Sequence, residues 1–188
     1  PFAGILFLYR PENDMLLQHL SWKKPMVHVY DRNTSLDVDL LELDSYKTGD
    51  LIASHLLSLG HRNIAYISTN LESKQIARIR RVEGMRQAFR SHNLDPDGCI
   101  RVCTPATEAL PVSKPLTEYE TGYLIARKLV SRGEPVSAIV GMNDMAAFGI
   151  MDAILELGKR VPQDISVVGY DGILMADYSV PRLTTIRQ

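Results

Sequence analysis

The chain lacks the short motifs that announce the commoner chemistries. Its twelve glycines never fall as Gly-x-Gly or ahead of a Gly-Lys-Ser/Thr. A Gly-rich cradle for a dinucleotide or for nucleoside triphosphate phosphates is therefore missing. No Gly-x-Ser-x-Gly is present, so the exposed nucleophile of the hydrolase elbow is missing too. Five scattered histidines and two cysteines, with no Cys-x-x-Cys, give no metal-ligand spacing. No metal, cofactor or catalytic residue is expected, because nothing supplies a nucleophile with a base beside it. Cys99 and Cys103 sit on what reads as one extended segment, too far apart to bridge each other. Two thiols in 188 residues suit a reducing compartment. The net charge of −1 gives no bulk attraction to nucleic acid or to a membrane surface. No apolar run reaches transmembrane length, and no signal-peptide pattern opens the chain.

What is present is alternation. Apolar runs at 2–8, 26–30, 38–43, 64–68, 99–103, 138–142 and 165–169 read as strands. Most are continuous rather than alternating, as in parallel strands covered on both faces. Between them lie helix-period segments: a weak one over 12–20, and stronger ones over 46–59, around Val82, Met85 and Phe89, over 117–133, and over 144–157. Gly60, Gly133 and Gly158 stand where helices should stop. Thr117 and Glu120 fit a capping box. Repeated β-α-β units predict an α/β fold of parallel sheets, and their number predicts two sheets in succession. No repeat with a period of 20–50 residues is evident. The strand-like openings at both ends, "PFAGILFLY" and "LTTIRQ", read as the cut ends of a longer protein.

In open parallel sheets, ligands bind beyond the carboxyl ends of the strands. At those ends this chain places Tyr9 and Arg10; Asp31, Arg32 and Asn33; Asp44, Ser45 and Tyr46; Thr69 and Asn70, with Arg78 and Arg81 on the next helix; Asn143 and Asp144; and Tyr170 and Asp171. Carboxylates that accept two hydroxyls and guanidinium groups that donate in a fork suit a sugar or a polar heterocycle. Each residue also has a plainer reading. Asn143, Asp144, Asp44 and Ser45 can be helix caps, Asp171 can serve its glycine-flanked turn, and an arginine on a helix is usually solvated. The stretch "RIRRVEGMRQAFR" could be a nucleic-acid helix, but Val82, Met85 and Phe89 must be buried.

Taken together, "LLSLGHRNIAYIS", "RRVEGMRQAF", "AIVGMNDMAAFGIMDAILELG" and "VPQDISVVGYDG" followed by "PRLTTIRQ" resemble the lac repressor/galactose repressor family of bacterial transcription regulators. The resemblance implies a periplasmic-binding-protein-like fold (type I) of two Rossmann-like lobes with the effector between them. Residues 1–67 would form part of the N-terminal lobe, 68–183 the C-terminal lobe, and 184–188 a crossover back to the first lobe. The DNA-binding helix-turn-helix would precede residue 1. The implied effector residues are Arg81, Asp171, Asn143, Asp144, Tyr46, Lys47 and, by its position, Thr117; Asn70 is added from its place after the fourth strand-like run. Thr117 stands where the family often has a stacking aromatic. Lys47 replaces an acid found in some sugar-binding members and could favour an acidic or phosphorylated sugar. Gly-Tyr-Asp-Gly replaces the commoner Gly-Tyr-Asp-Asp. The implied function is that of a cytoplasmic, dimeric or tetrameric repressor without enzymatic activity. A sugar-like effector would control its grip on operator DNA. The rival readings are a periplasmic or surface sugar-binding protein and an enzyme on a Rossmann-like scaffold.

Overall fold

The structure is a computed structural model and describes residues 2–8, 23–29, 38–72, 75–111 and 113–188. In chain order the elements are strands β1 (Ile5–Phe7), β2 (Met26–Val29) and β3 (Asp39–Leu41), helix α1 (Ser45–Ser58), strand β4 (Ile64–Ile67), helices α2 (Ile76–Ser91) and α3 (Pro96–Cys99), strand β5 (Ile100–Cys103), helix α4 (Glu118–Ser131), strand β6 (Ala138–Gly141), helix α5 (Asp144–Glu156), strand β7 (Ser166–Asp171), helix α6 (Leu174–Tyr178) and strand β8 (Thr184–Arg187). The weak helix expected over 12–20 lies outside the described residues.

Two parallel sheets result. One is three-stranded in the order β1-β2-β3, and the other is five-stranded in the order β5-β4-β6-β7-β8. In the larger sheet the side chains of β4 alternate between two cores, as a period of two requires. Ile64 and Tyr66 join Ile52, Leu56, Met85 and Phe89 from α1 and α2. Ala65 and Ile67 join Ile125, Leu129, Ile150 and Ile154 from α4 and α5. All of these are at most 1% exposed, so each large side chain contributes about 1.5–3 kcal/mol of burial.

Local signals set the helix ends. Asp44 caps α1 by accepting from the Lys47 N–H at 2.9 Å. Thr117 and Glu120 form the expected capping box on α4, and Asn143 caps α5. Gly60, Gly133 and Gly158 follow α1, α4 and α5 with φ of 89°, 66° and 73°, conformations that glycine adopts without a Cβ penalty.

The two helix pairs are built alike. A Cβ on Gly49 would lie 1.9 Å from the Arg81 carbonyl oxygen, and one on Gly84 would lie 1.9 Å from that of Tyr46. A Cβ on Gly122 would lie 2.1 Å from the Ala146 carbonyl oxygen, and one on Gly149 would lie 2.2 Å from that of Tyr119. Each pair therefore packs backbone against backbone through reciprocal glycines. A short internal repeat encodes this. "SYKTGDLIASHLLSLG" at 45–60 and "EYETGYLIARKLVSRG" at 118–133 share Tyr, Thr, Gly, Leu-Ile-Ala, Leu, Ser and Gly at matching places. The two copies start at 45 and 118, so their spacing lies beyond a period of 20–50 residues.

Three boundaries differ from expectation. A division at 67/68 would cut through one compact unit, because β4 pairs with both β5 and β6, and α1 covers the same sheet. The change of sheet falls between β3 and α1 instead. Residues 184–187, expected as a crossover, pair with β7 as a fifth strand, with Gly169 opposite Thr185 and Asp171 opposite Arg187. The 99–103 run is not all strand, because Asp95 and Pro96 start a helical turn that ends at Cys99. Both cysteines are free thiols.

The glycine contacts yield a stability prediction. Gly84→Ala and Gly122→Ala each force a methyl into a neighbouring backbone and should cost at least about 1–3 kcal/mol in chemical denaturation. Unchanged midpoints would show that the helices do not meet this closely.

Candidate functional site

The carboxyl edge of the five-stranded sheet gathers Thr69 after β4, Asn143 after β6, Tyr170 and Asp171 at the end of β7, and Gln188 after β8. Two helices bring further groups there. Arg78 and Arg81 come from the first turns of α2, and Glu118 is the first residue of α4.

Arg81 lies at the bottom of this cluster and is only 3% exposed. Its Nη1 donates to the Met142 carbonyl at 2.6 Å. Its guanidinium carbon stands 3.4 Å from the centre of the Tyr170 ring, a cation–π contact worth about 2 kcal/mol when desolvated. Among the described residues no carboxylate lies within salt-bridge reach of Arg81, and its Nε is buried without a hydrogen-bond partner. A buried donor left unpaired costs about 1–3 kcal/mol. Arg81 thus carries a charge and a spare donor that the fold itself does not satisfy.

Arg78 is the opposite case. Its Nη1 donates to Gln75 Oε1 at 2.7 Å and to the Thr69 hydroxyl, and its Nη2 to Glu118 Oε1 at 3.2 Å. The other oxygen of Glu118 accepts from the Asn143 amide, while Asn143 Oδ1 caps α5 at the Ala146 N–H, 2.9 Å away. A hydrogen-bonded chain therefore runs Thr69–Arg78–Glu118–Asn143 around the edge and ties β4, α2, α4 and α5 together.

Asp171 closes the other side. Its φ of 128° is strained for a residue with a Cβ. One oxygen accepts from Gln188 Nε2 at 2.8 Å. Its carboxyl is pushed up to about 6, first by burial and then by the Asp144 charge; Glu118 adds to the rise, and Arg81 and Arg78 oppose it. Asp171 therefore favours a partner that donates hydrogen bonds to it.

Of the eight residues expected from sequence, Arg81, Asp171 and Asn143 come together here. The others have different surroundings. Asp144 is fully buried, and its oxygens accept from the Ile173 N–H and the Thr185 hydroxyl. Lys47 is exposed, with 63% of its side chain accessible, and pairs with Asp50 at 3.1 Å. That removes the argument for an acidic sugar drawn from it. Thr117 is exposed and occupied as a cap. Asn70 is exposed and accepts from the Ala106 N–H at 3.1 Å. Tyr46 is half-buried, with its carbonyl turned to Gly84. Glu118 was absent from the expected set. Its signal was its place directly after a helix cap at the strand-end edge, where Arg78 and Asn143 were already in view. The arginine-rich segment is not a free nucleic-acid face, since Arg78 and Arg81 turn into the cluster and Arg86 pairs with Asp97 at 3.1 Å. Among the described residues no three His, Cys, Asp or Glu side chains converge as a metal cage, and no helix is long and apolar enough to cross a membrane.

Comparison with known proteins agrees with this architecture. The periplasmic binding protein-like domain matches residues 53–188. The chain is 36% identical to the ribose operon repressor of Escherichia coli over 153 residues, which is 81% of this chain and 42% of that protein. It is 34% identical to the HTH-type transcriptional repressor PurR of Haemophilus influenzae over 164 residues, which is 87% of this chain and 45% of that protein. The chain thus spans less than half the length of these two relatives. Among solved structures, a LacI family transcriptional regulator from Enterococcus faecium with bound ribose superposes with a TM-score of 0.80 at 27% identity, over 99% of this chain and 65% of that one. The chain belongs to the periplasmic binding protein-like family.

Proposed function

We propose that the chain is the effector-sensing region of a bacterial transcriptional repressor, and that its effector is a small hydroxyl-rich metabolite, a sugar or sugar derivative. The carrying observation is Arg81, buried against Tyr170 with an unpaired Nε, beside the half-buried acceptor Asp171. A polyol supplies what both lack: oxygens for the guanidinium and hydroxyl protons for the carboxylate. Asn143 and the Arg78–Glu118 pair flank the same edge and can read further hydroxyls. The ribose named with the Enterococcus structure and with the Escherichia coli relative supports this ligand class. In this reading β1–β3 belong to a second lobe facing the site. Operator DNA is held in the cytoplasm by a separate part of the protein, as a homodimer whose paired heads read two half-sites. The effector acts by its differential affinity for two lobe arrangements. A coupling of about 1–3 kcal/mol changes occupancy roughly 5- to 150-fold.

The first test is a thermal-shift screen of the full-length protein against ribose, other neutral sugars, sugar phosphates, sugar acids and purine bases. Ligand at a hundredfold its dissociation constant should stabilise by about 2.7 kcal/mol, which is several degrees. The shift should vanish in Asp171→Asn and Arg81→Ala. A hit that persists unchanged in both variants refutes the site.

Acidity gives a second prediction. The folded chain holds a proton on Asp171 up to about pH 6, where an unfolded aspartate releases it near 3.8. Stability on this account falls as pH rises through that window and stays lowered above it. Asp171→Asn should therefore flatten this part of the pH–stability curve in the unliganded protein. In the parent, affinity for a hydroxyl donor should weaken as pH falls below about 6, as the carboxylate takes up its proton. A calorimetric affinity that is constant from pH 7.5 to 5 (a window chosen to bracket the Asp171 titration) would contradict the assignment.

A further inference from the structure

Asp144 is the first residue of α5 and is fully buried. A buried carboxylate is costly unless its lone pairs are met, and among the described residues no cation lies within salt-bridge reach of it. Its bonds go instead to two places late in the chain. Oδ2 accepts from the Ile173 N–H at 2.8 Å, and Oδ1 accepts from the Thr185 hydroxyl at 2.5 Å. The path between them runs past Gly169, where a Cβ would lie 2.2 Å from Oδ1. Glycine at that point of β7 is what leaves the carboxylate room. Gly169 and Thr185 are also register partners, so the carboxylate reaches β8 directly across β7.

These two anchors bracket Asp171. Ile173 lies two residues after it, beyond Gly172 with its φ of 71°. Thr185 lies on the strand that leads to Gln188, whose amide donates to Asp171 Oδ1. The backbone of Asp171 is itself strained, and such a conformation persists when its surroundings over-determine it. We propose that Asp144 is a positioning residue for the effector site: from beneath β7 it pins the turn after Asp171 and the strand beside it, and so fixes where the Asp171 carboxyl points.

The charges that face Asp171 are Asp144 from α5, Glu118 from α4, and Arg81 and Arg78 from α2. Opposite it on β8, Arg187 is occupied by Asp177 at 2.9 Å. Asp144 therefore acts on Asp171 in two ways, through the backbone it holds and through its own negative charge. Asp144→Asn separates them. An asparagine keeps the shape, accepts from the Ile173 N–H, and donates to a rotated Thr185 hydroxyl, but it carries no charge.

The proposal rests on the reading of Asp171 as the effector's acceptor, yet its test needs no ligand, so a blank sugar screen and a failed titration are separate results. Full-length protein labelled with carboxyl-carbon-13 aspartate is titrated by NMR, and the Asp171 signal is identified by its absence in Asp171→Asn. In the parent this signal should titrate at about 6. In Asp144→Asn its midpoint should fall toward the ordinary carboxylate range. Hydrogen exchange of the Ile173 amide should accelerate about tenfold or more in Asp144→Ala. An Asp171 midpoint that stays in place in Asp144→Asn removes the charge effect, and an equally protected Ile173 amide in Asp144→Ala overturns the positioning assignment. Where the alanine variant does not fold, Thr185→Val removes the bond to β8 while keeping the Asp144 charge, and an Asp171 midpoint unchanged in it overturns the assignment.

Discussion

Two helices meeting backbone to backbone are the constraint on which the site depends. Gly49 lets α1 press on the carbonyl of Arg81, and Gly84 lets α2 press on that of Tyr46. This seats α2 low on the sheet, so that the Arg81 side chain passes under the edge to Tyr170 instead of pointing to solvent. The second glycine pair does the same for α4 and α5, and it places Glu118 next to Asn143. Larger residues at these positions would lift the helices, and the polar groups would no longer converge. Packing and recognition are thus one arrangement, with Val82, Met85 and Phe89 buried on the same helix whose first turns carry Arg78 and Arg81.

Charge is distributed unevenly within the cluster. Arg78 is satisfied by Gln75, Thr69 and Glu118, and it behaves as part of the wall. Arg81 has one backbone carbonyl and an aromatic face, with the buried Tyr66 hydroxyl also close by, and its Nε is left without a partner. Asp171 holds one amide hydrogen bond from Gln188 and is surrounded by more acid than it would tolerate in water. In the proposed function this donor and this acceptor, each incompletely satisfied, are the groups that a ligand would meet. Gln188 and Thr185 add a link from this site into β8, the strand that ends the described chain.

Much of this was legible in the residues. The continuous apolar runs, the stop glycines and the capping box mapped directly onto parallel strands and their helices, because each reports a local and strong preference. Arg81, Asp171 and Asn143 stand among the many polar residues near the strand ends where such sheets bind ligands, and the family resemblance is what singles them out. What failed was long-range. Nothing local shows that Asp144 turns inward to Ile173 and Thr185, since its place beside a cap suits either direction. Lys47 enters the expected set through the family resemblance and Asn70 through its place after a strand, and the side chain of each has other partners. The expected boundary after β4 failed for a related reason: sheet membership is settled by pairing with β5 and β6, which lie later in the chain.

The most direct test of the account is a crystal structure of the full-length protein bound to the sugar that the thermal screen returns. The account predicts a ligand hydroxyl within hydrogen-bonding distance of the Asp171 carboxylate and a ligand oxygen on the Arg81 guanidinium, with the ring near Tyr170. A ligand seated elsewhere, with Arg81 and Asp171 untouched, would contradict it.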